Sequence, residues 1–190
     1  MTDTKVIFED ARTHVVWQER AVPDDLLRRV YDVAKMGPTS ANCCPMRVVF
    51  VTSAEAKERL KPCLNEGNVE KTVKAPATAI IAYDTQFYDH LPELFPARDM
   101  RTGFANNAEL AAATAFRNGS VQGAYLIVAA RALGLDCGPM SGFNNAKVDA
   151  EFFPDGRWKS NFLCNLGHGD PSKLYPRNPR PSFEEACRIV

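Results

Sequence analysis

Four polar segments of the chain carry the side chains best suited to binding chemistry: ARTH at 11–14, PTSAN at 38–42, GPMSG at 138–142, and a basic tail with Lys173, Arg177 and Arg180. Each sits at a junction beside apolar sequence. Arginine binds a phosphate bidentately, hydroxyls and an asparagine amide suit a polyol and a heterocycle edge, and a tight glycine turn brings backbone donors close to a ring. Convergence of the four would suit an elongated ligand with a phosphate at one end and a flat polar ring at the other. Flavin mononucleotide fits that description, although spacing alone does not single it out. Each segment taken singly is weak, because Arg, Thr and Asn at turns also serve as caps.

The elements that must position these segments follow from periodicity. Pro23 and Asp24 open a helix with Leu26, Leu27, Val30, Tyr31, Val33 and Ala34 on one face, closed by Gly37 and Pro38. PTSAN therefore lies between that helix and a strand at 48–51. Thr52 and Glu55 read as a capping box for a helix through Leu60, and a weaker helix follows at 69–74 before Pro76. A second strand is expected at 77–83. The segment 85–100 has no sustained period and reads as an irregular excursion of the kind that often covers a site. From Ser120 to Leu133 a helix is apolar on nearly all sides, through Val121, Ala124, Tyr125, Leu126, Ile127 and Val128, which places it in a core or an interface. Gly134 then suits a left-handed helix terminus, and Gly138, Pro139 and Gly142 suggest a loop. A short helix at 145–153, a third strand at 158–167, an extended proline-rich tail and a last helix capped by Ser182 and Glu185 complete the chain.

With 190 residues and 45% hydrophobic content, one α/β domain spanning 1–190 is expected. The 23 basic residues balance the 23 acidic ones, so no surface is set out for nucleic acid or anionic lipid. No apolar run approaches the roughly 20 residues of a membrane helix, and a cytoplasmic location is expected. The six cysteines form no C-x-x-C pair and suit reduced thiols better than a disulfide framework or zinc site. The three histidines are far apart, and no metal is assigned. Rossmann, P-loop, zincin and hydrolase motifs are all absent.

GPTSANCCP at 37–45, TAFRN at 114–118, GLDCGPMSGF at 134–143 and PRPSFEEAC at 179–187 together resemble the nitroreductase-like flavoproteins. The resemblance covers nearly the whole chain and is closest to the short subgroup that reduces malonic semialdehyde in pyrimidine utilisation. It implies an α+β FMN-binding sandwich with a mixed central sheet, and an intertwined homodimer with two flavin sites across the interface and the apolar helix buried there. NADPH or NADH would serve as reductant. Carried over by position, Arg12, Thr13 and His14 lie at the phosphate end with Arg177 and Arg180, Thr39, Ser40 and Asn42 meet the ribityl chain and ring edge, and Pro139, Met140, Ser141 and Gly142 flank the ring. Ala11, Val15 and Asn178 replace residues that are commonly basic, which thins the phosphate site. Arg98 and Arg101 in the excursion are the candidate partners for a substrate carboxylate. A nitro or quinone reductase of broad specificity, a flavin-binding protein without turnover, and a thiol redox protein using Cys43 and Cys44 stand as alternatives.

Overall fold

The computed structural model describes residues 4–190, so the first three residues of the expected 1–190 domain lie outside the described residues. The elements in chain order are α1 (Asp24–Ala34), β1 (Met46–Val51), α2 (Ala54–Leu60), α3 (Glu66–Val73), β2 (Ala77–Asp84), α4 (Leu91–Leu94), α5 (Arg101–Ala105), α6 (Ala108–Ala132), β3 (Asp136–Met140), α7 (Asn145–Phe152), β4 (Trp158–Gly167) and α8 (Phe183–Ala186). The class is α+β, as expected. The strand order is β1-β2-β4-β3 and every neighbouring pair is antiparallel, which corrects the expectation of a mixed sheet. The chain leaves β1 and enters β2 at one end, does the same between β3 and β4, and inserts β4 between the two co-directional strands. Parallel pairing among the described residues is confined to a bridge between Thr13 and Cys137.

Alternation along β2 divides the core into two layers. Ala77, Ala79 and Ile81 meet Leu27 and Val30 of α1 and Leu126 and Ala129 of α6. Ile80 and Ala82 face the other way, toward Leu60, Cys63, Val148 and Phe153. A third cluster joins Phe87, Leu91 and Phe104 to Ala111 and Ala115. The excursion after β2 is thus built of short helices pinned by aromatic side chains.

Several local expectations shift. Ser53, not Thr52, caps α2 by accepting from the Ala56 amide at 3.1 Å. The supposed glycine loop is largely strand β3, where Pro139 is tolerated because an edge strand leaves one side of its backbone unpaired. Gly134 does close α6 with a φ of 82°. The helix itself begins at Ala108, twelve residues before Ser120, with the Asn107 side chain capping the Leu110 amide.

α6 is also less uniform than its composition suggests. Its buried face is mostly small and polar, with Thr114, Asn118, Gly119, Gln122 and Gly123 beside the larger Leu126. Phe116 and Tyr125 stand 53% and 40% exposed on the chain by itself. The helix lies close on the sheet, because a Cβ at Gly123 would come within 2.7 Å of the Phe162 ring and 3.1 Å of Ile81. Gly103 in α5 has nothing within 4 Å. In an open helix, Gly→Ala gains up to about 1 kcal/mol, whereas overpacking costs about 1–3 kcal/mol. Gly103→Ala should therefore raise the urea midpoint and Gly123→Ala lower it; a rise in both would show that α6 can lift from the sheet at little cost.

Candidate active site

The N-terminal segment and the tail meet beside the end of α6. Arg12, Thr13, Arg131, Tyr175, Arg177 and Arg180 are among the residues around a cavity of about 320 Å³. The arginines are held by backbone carbonyls: Arg12 donates to Tyr175, Arg131 to Ile7 at 3.1 Å, and Arg177 to Glu9 at 2.6 Å and Ala11 at 3.0 Å. Arg180 donates to the carbonyls of Asn178 and Pro179. Among the described residues none of these four guanidinium groups pairs with a carboxylate, while Arg47, Arg59, Arg101 and Arg157 all do. An arginine cluster without counter-ions is a donor set for an anion, and phosphate matches it best. The structure therefore joins Arg12, Thr13, Arg177 and Arg180 at one pocket. Ala11, Val15 and Asn178 line the same cavity without charge.

His14 is 6% exposed and turns away from that cavity, with Nε2 3.4 Å from Asp136. The other Asp136 oxygen accepts the Gly169 amide at 2.8 Å, and the His14 amide donates to the Cys137 carbonyl at 3.0 Å. Its side chain braces the N-terminal segment against β3 and the start of the tail instead of facing a ligand. From the Thr13–Cys137 bridge, β3 runs roughly 10 Å to Met140. Met140 is buried against Thr72 of α3, Pro139 is half-buried and Ser141 is exposed. The Gly142 carbonyl accepts the Asn65 amide at 3.1 Å and the Asn68 side chain at 2.6 Å. On the same helix, burial holds the Lys71 ammonium below its usual pKa. The sequence reading missed Arg131 and this α3 face; their signals were a lone charge in an apolar run and an asparagine and a lysine three residues apart.

The third segment, PTSAN, stands elsewhere. Thr39 Oγ1 accepts the Cys44 amide, the Ser40 amide donates to Asn118 Oδ1 at 2.9 Å, and Asn42 Nδ2 donates to the Leu94 carbonyl at 2.9 Å. Ala41, Asn42 and Cys44 have φ of 50°, 49° and 38°. Left-handed backbone at non-glycine residues costs about 1–3 kcal/mol each and collects at functional loops. Cys43 is buried and its thiol is pushed up to about 11 by that burial, which keeps it protonated and unreactive. Asn118 and Arg131 are thirteen positions apart on α6, so PTSAN and the arginine pocket lie roughly 20 Å apart along its axis in one chain.

The excursion is fastened by Asp84, which is buried at the end of β2. Arg157 binds it through Nε at 2.9 Å and Nη2 at 3.1 Å, Arg47 through Nη2 at 2.8 Å, and the Gln86 amide at 2.8 Å. Arg101 is paired with Asp89 at 3.1 Å, and Asp89 also lies 3.6 Å from Arg157. Arg98 and Arg101 share a second cavity of about 320 Å³ with Phe95 and Met100, and both are exposed. Arg98 has no ion-pair partner among the described residues, so it is the freer of the two.

Burial pushes the Asp84 carboxyl up, but the Arg157 hydrogen bond, the Gln86 amide and the nearby guanidinium charges outweigh it and leave the pKa below the usual value. The folded carboxyl then titrates below the unfolded one, near 3.9. Its stabilisation is complete above that value and is lost as pH falls through the folded pKa. Asp84→Asn should cost about 3–5 kcal/mol at pH 7, because two arginines lose their partner, and should flatten the acid limb of stability against pH. An unchanged acid limb in urea titrations would remove Asp84 from this role.

Among the described residues no three His, Cys, Asp or Glu side chains gather as a metal site, and no helix is long and apolar enough to cross a membrane. The sequence matches the profile of the nitroreductase family over residues 17–168. It is 60% identical over 184 residues to a Rhodopseudomonas palustris protein provisionally named NADH dehydrogenase/NAD(P)H nitroreductase, covering 97% of this chain and 94% of that one. A Ralstonia nicotianae protein with the same provisional designation is 59% identical, with the same coverage. In fold, the chain matches a provisionally assigned nitroreductase from Exiguobacterium sibiricum solved in complex with FMN, with a TM-score of 0.88, 19% identity, and coverage of 100% of this chain and 98% of that one. The extent of the profile match and the identity to full-length relatives show that the chain belongs to the nitroreductase family.

Proposed function

We propose that this chain is an FMN-dependent NAD(P)H oxidoreductase that works as a homodimer, and that its substrate is malonic semialdehyde, reduced to 3-hydroxypropionate. The observation that carries the cofactor assignment is the pocket of four arginines that have no carboxylate partner among the described residues, formed from both ends of the chain and the end of α6. The FMN held by the solved relative of this fold and the NAD(P)H in the relatives' designations support it. Bound flavin supplies hydride transfer between reduced nicotinamide and substrate. The chain's own residues bind and orient. Arg12, Thr13, Arg177 and Arg180 hold the phosphate, Thr39, Ser40 and Asn42 take the polyol and ring edge, Pro139 to Gly142 flank the ring, and His14 fixes the segment that carries Arg12.

Two observations support the dimer. Leu110, Phe116, Val121 and Tyr125 of α6 are each at least 39% exposed on the single chain, and large apolar side chains exposed along one helix favour an interaction surface. PTSAN and the arginine pocket also lie too far apart in one chain to serve one compact site, so the loop of a second copy would complete it. The six unpaired thiols suit a reducing cytoplasm.

For the substrate, the resemblance of GLDCGPMSGF and PRPSFEEAC to the semialdehyde-reducing subgroup and the Arg98 guanidinium, without an ion-pair partner among the described residues, favour a small carboxylate-bearing aldehyde. The designations of the relatives favour a second reading, reduction of nitro compounds and quinones. Purified protein should show a flavin spectrum that bleaches with NADPH or NADH, and kcat/KM should be higher for malonic semialdehyde than for a nitroaromatic, with the margin narrowed by Arg98→Ala. Faster turnover of the nitroaromatic by the parent protein would replace the semialdehyde assignment with the second reading. Absence of flavin binding at micromolar FMN would remove both.

A further inference from the structure

We infer that Arg131 is a phosphate-recognition residue of this chain, supplying from the end of α6 the cation that Ala11 and Asn178 leave out of the pocket wall. The inference rests on the FMN reading and names a ligand group that the sequence does not point to. Arg131 lies in the last turn of α6 and lines the cavity shared with Arg12, Arg177 and Arg180. Ala11 and Asn178 line it too and carry no charge.

Its bonding within the chain is incomplete. Nη1 donates to the Ile7 carbonyl at 3.1 Å, and Nε is buried without an acceptor. The apolar surroundings include the thiols of Cys137 and Cys164, which are themselves fully buried. A cation suits a helix C-terminus, but that effect falls off within the last turn and supplies no counter-ion. A partly buried guanidinium with one neutral acceptor is costly by itself. A dianionic phosphate placed among the four guanidinium groups relieves the cost by direct attraction and draws their forks to a common centre. The apolar chain around Arg131 fixes its direction, whereas Arg177 and Arg180 lie on an exposed tail. Arg131 is therefore the pre-oriented member of the cluster, and its contribution to binding is made with less loss of side-chain freedom.

The test compares FMN with riboflavin, which lacks only the phosphate, by flavin fluorescence titration on the full chain with Arg131→Gln and Arg131→Lys. Gln can still donate to the Ile7 carbonyl but has no charge. Loss of a charge-assisted bond corresponds to about a tenfold to hundredfold weaker Kd. Arg131→Gln should weaken FMN by that factor and leave riboflavin affinity unchanged, and Arg131→Lys should recover part of the loss. Equal weakening of both ligands, or no change for FMN, overturns the inference in favour of a purely structural arginine. If the parent protein binds FMN no more tightly than riboflavin, the phosphate pocket itself is the wrong reading, a failure distinct from that of Arg131.

Discussion

The seating of α6 on the sheet is the constraint on which the rest of the molecule depends. Glycine at 119 and 123 lets the helix backbone approach Tyr83, Ile81 and Phe162, which brings polar side chains of the same face into contact with the neighbouring chain. Asn118 then reaches the Ser40 amide, and Gln122 accepts the Met46 amide at 2.9 Å where β1 begins. The Met46 amide bond is buried and the Ser40 one partly buried, and a buried amide left unpaired would cost free energy. One helix thus satisfies the strained PTSAN loop at its middle and delivers Arg131 to the arginine pocket at its end. A larger residue on that face would separate the helix from the loop it holds.

Charge is handled in opposite ways at the two ends of the molecule. Around Asp84, two arginines surround one buried carboxylate, and a second carboxylate at Asp89 links Arg157 to Arg101. That network is saturated and serves to hold the excursion to the sheet. At the other end, among the described residues, four arginines are held by neutral carbonyls and none by a carboxylate. Neutral acceptors orient a guanidinium without cancelling its charge, so attraction for an anion persists. The same residue type is structural in one place and available for binding in the other, and the difference lies in the acceptor it meets.

The geometry of a single chain also gives meaning to its exposed apolar surface. Leu110, Phe116, Val121 and Tyr125 of α6 are exposed on the single chain, while the buried face is mostly small and polar with Leu126 among it. The close approach at Gly119 and Gly123 leaves little room for larger side chains there. In the proposed dimer a second copy would cover the exposed apolar side chains and supply the loop that one copy cannot bring to its own arginine pocket.

Much of the plan was legible in the sequence. The periodicity of Leu27 and Val30 defined α1, the β-branched run at 77–83 defined β2, and Ser182 with Glu185 defined the terminal cap, since these signals are local and each has one physical meaning. The basic and hydroxyl-bearing segments read as candidate binding chemistry by residue type, and the folded chain brings Arg12, Thr13, Arg177 and Arg180 to one cavity while PTSAN stands apart. Composition could not tell which face of an apolar helix is buried, because that depends on how closely the sheet approaches, and the answer was the face with Gly119, Gln122 and Gly123. Nor could it separate a glycine turn from an edge strand at 136–140, where the pairing partner is β4, some twenty residues later. The partners of the charged residues were likewise decided in three dimensions. Arg101 found Asp89 and His14 found Asp136, while Arg131 came to line one cavity with Arg12 although like charges repel, because which polar groups meet depends on distance and burial, which only the folded chain fixes.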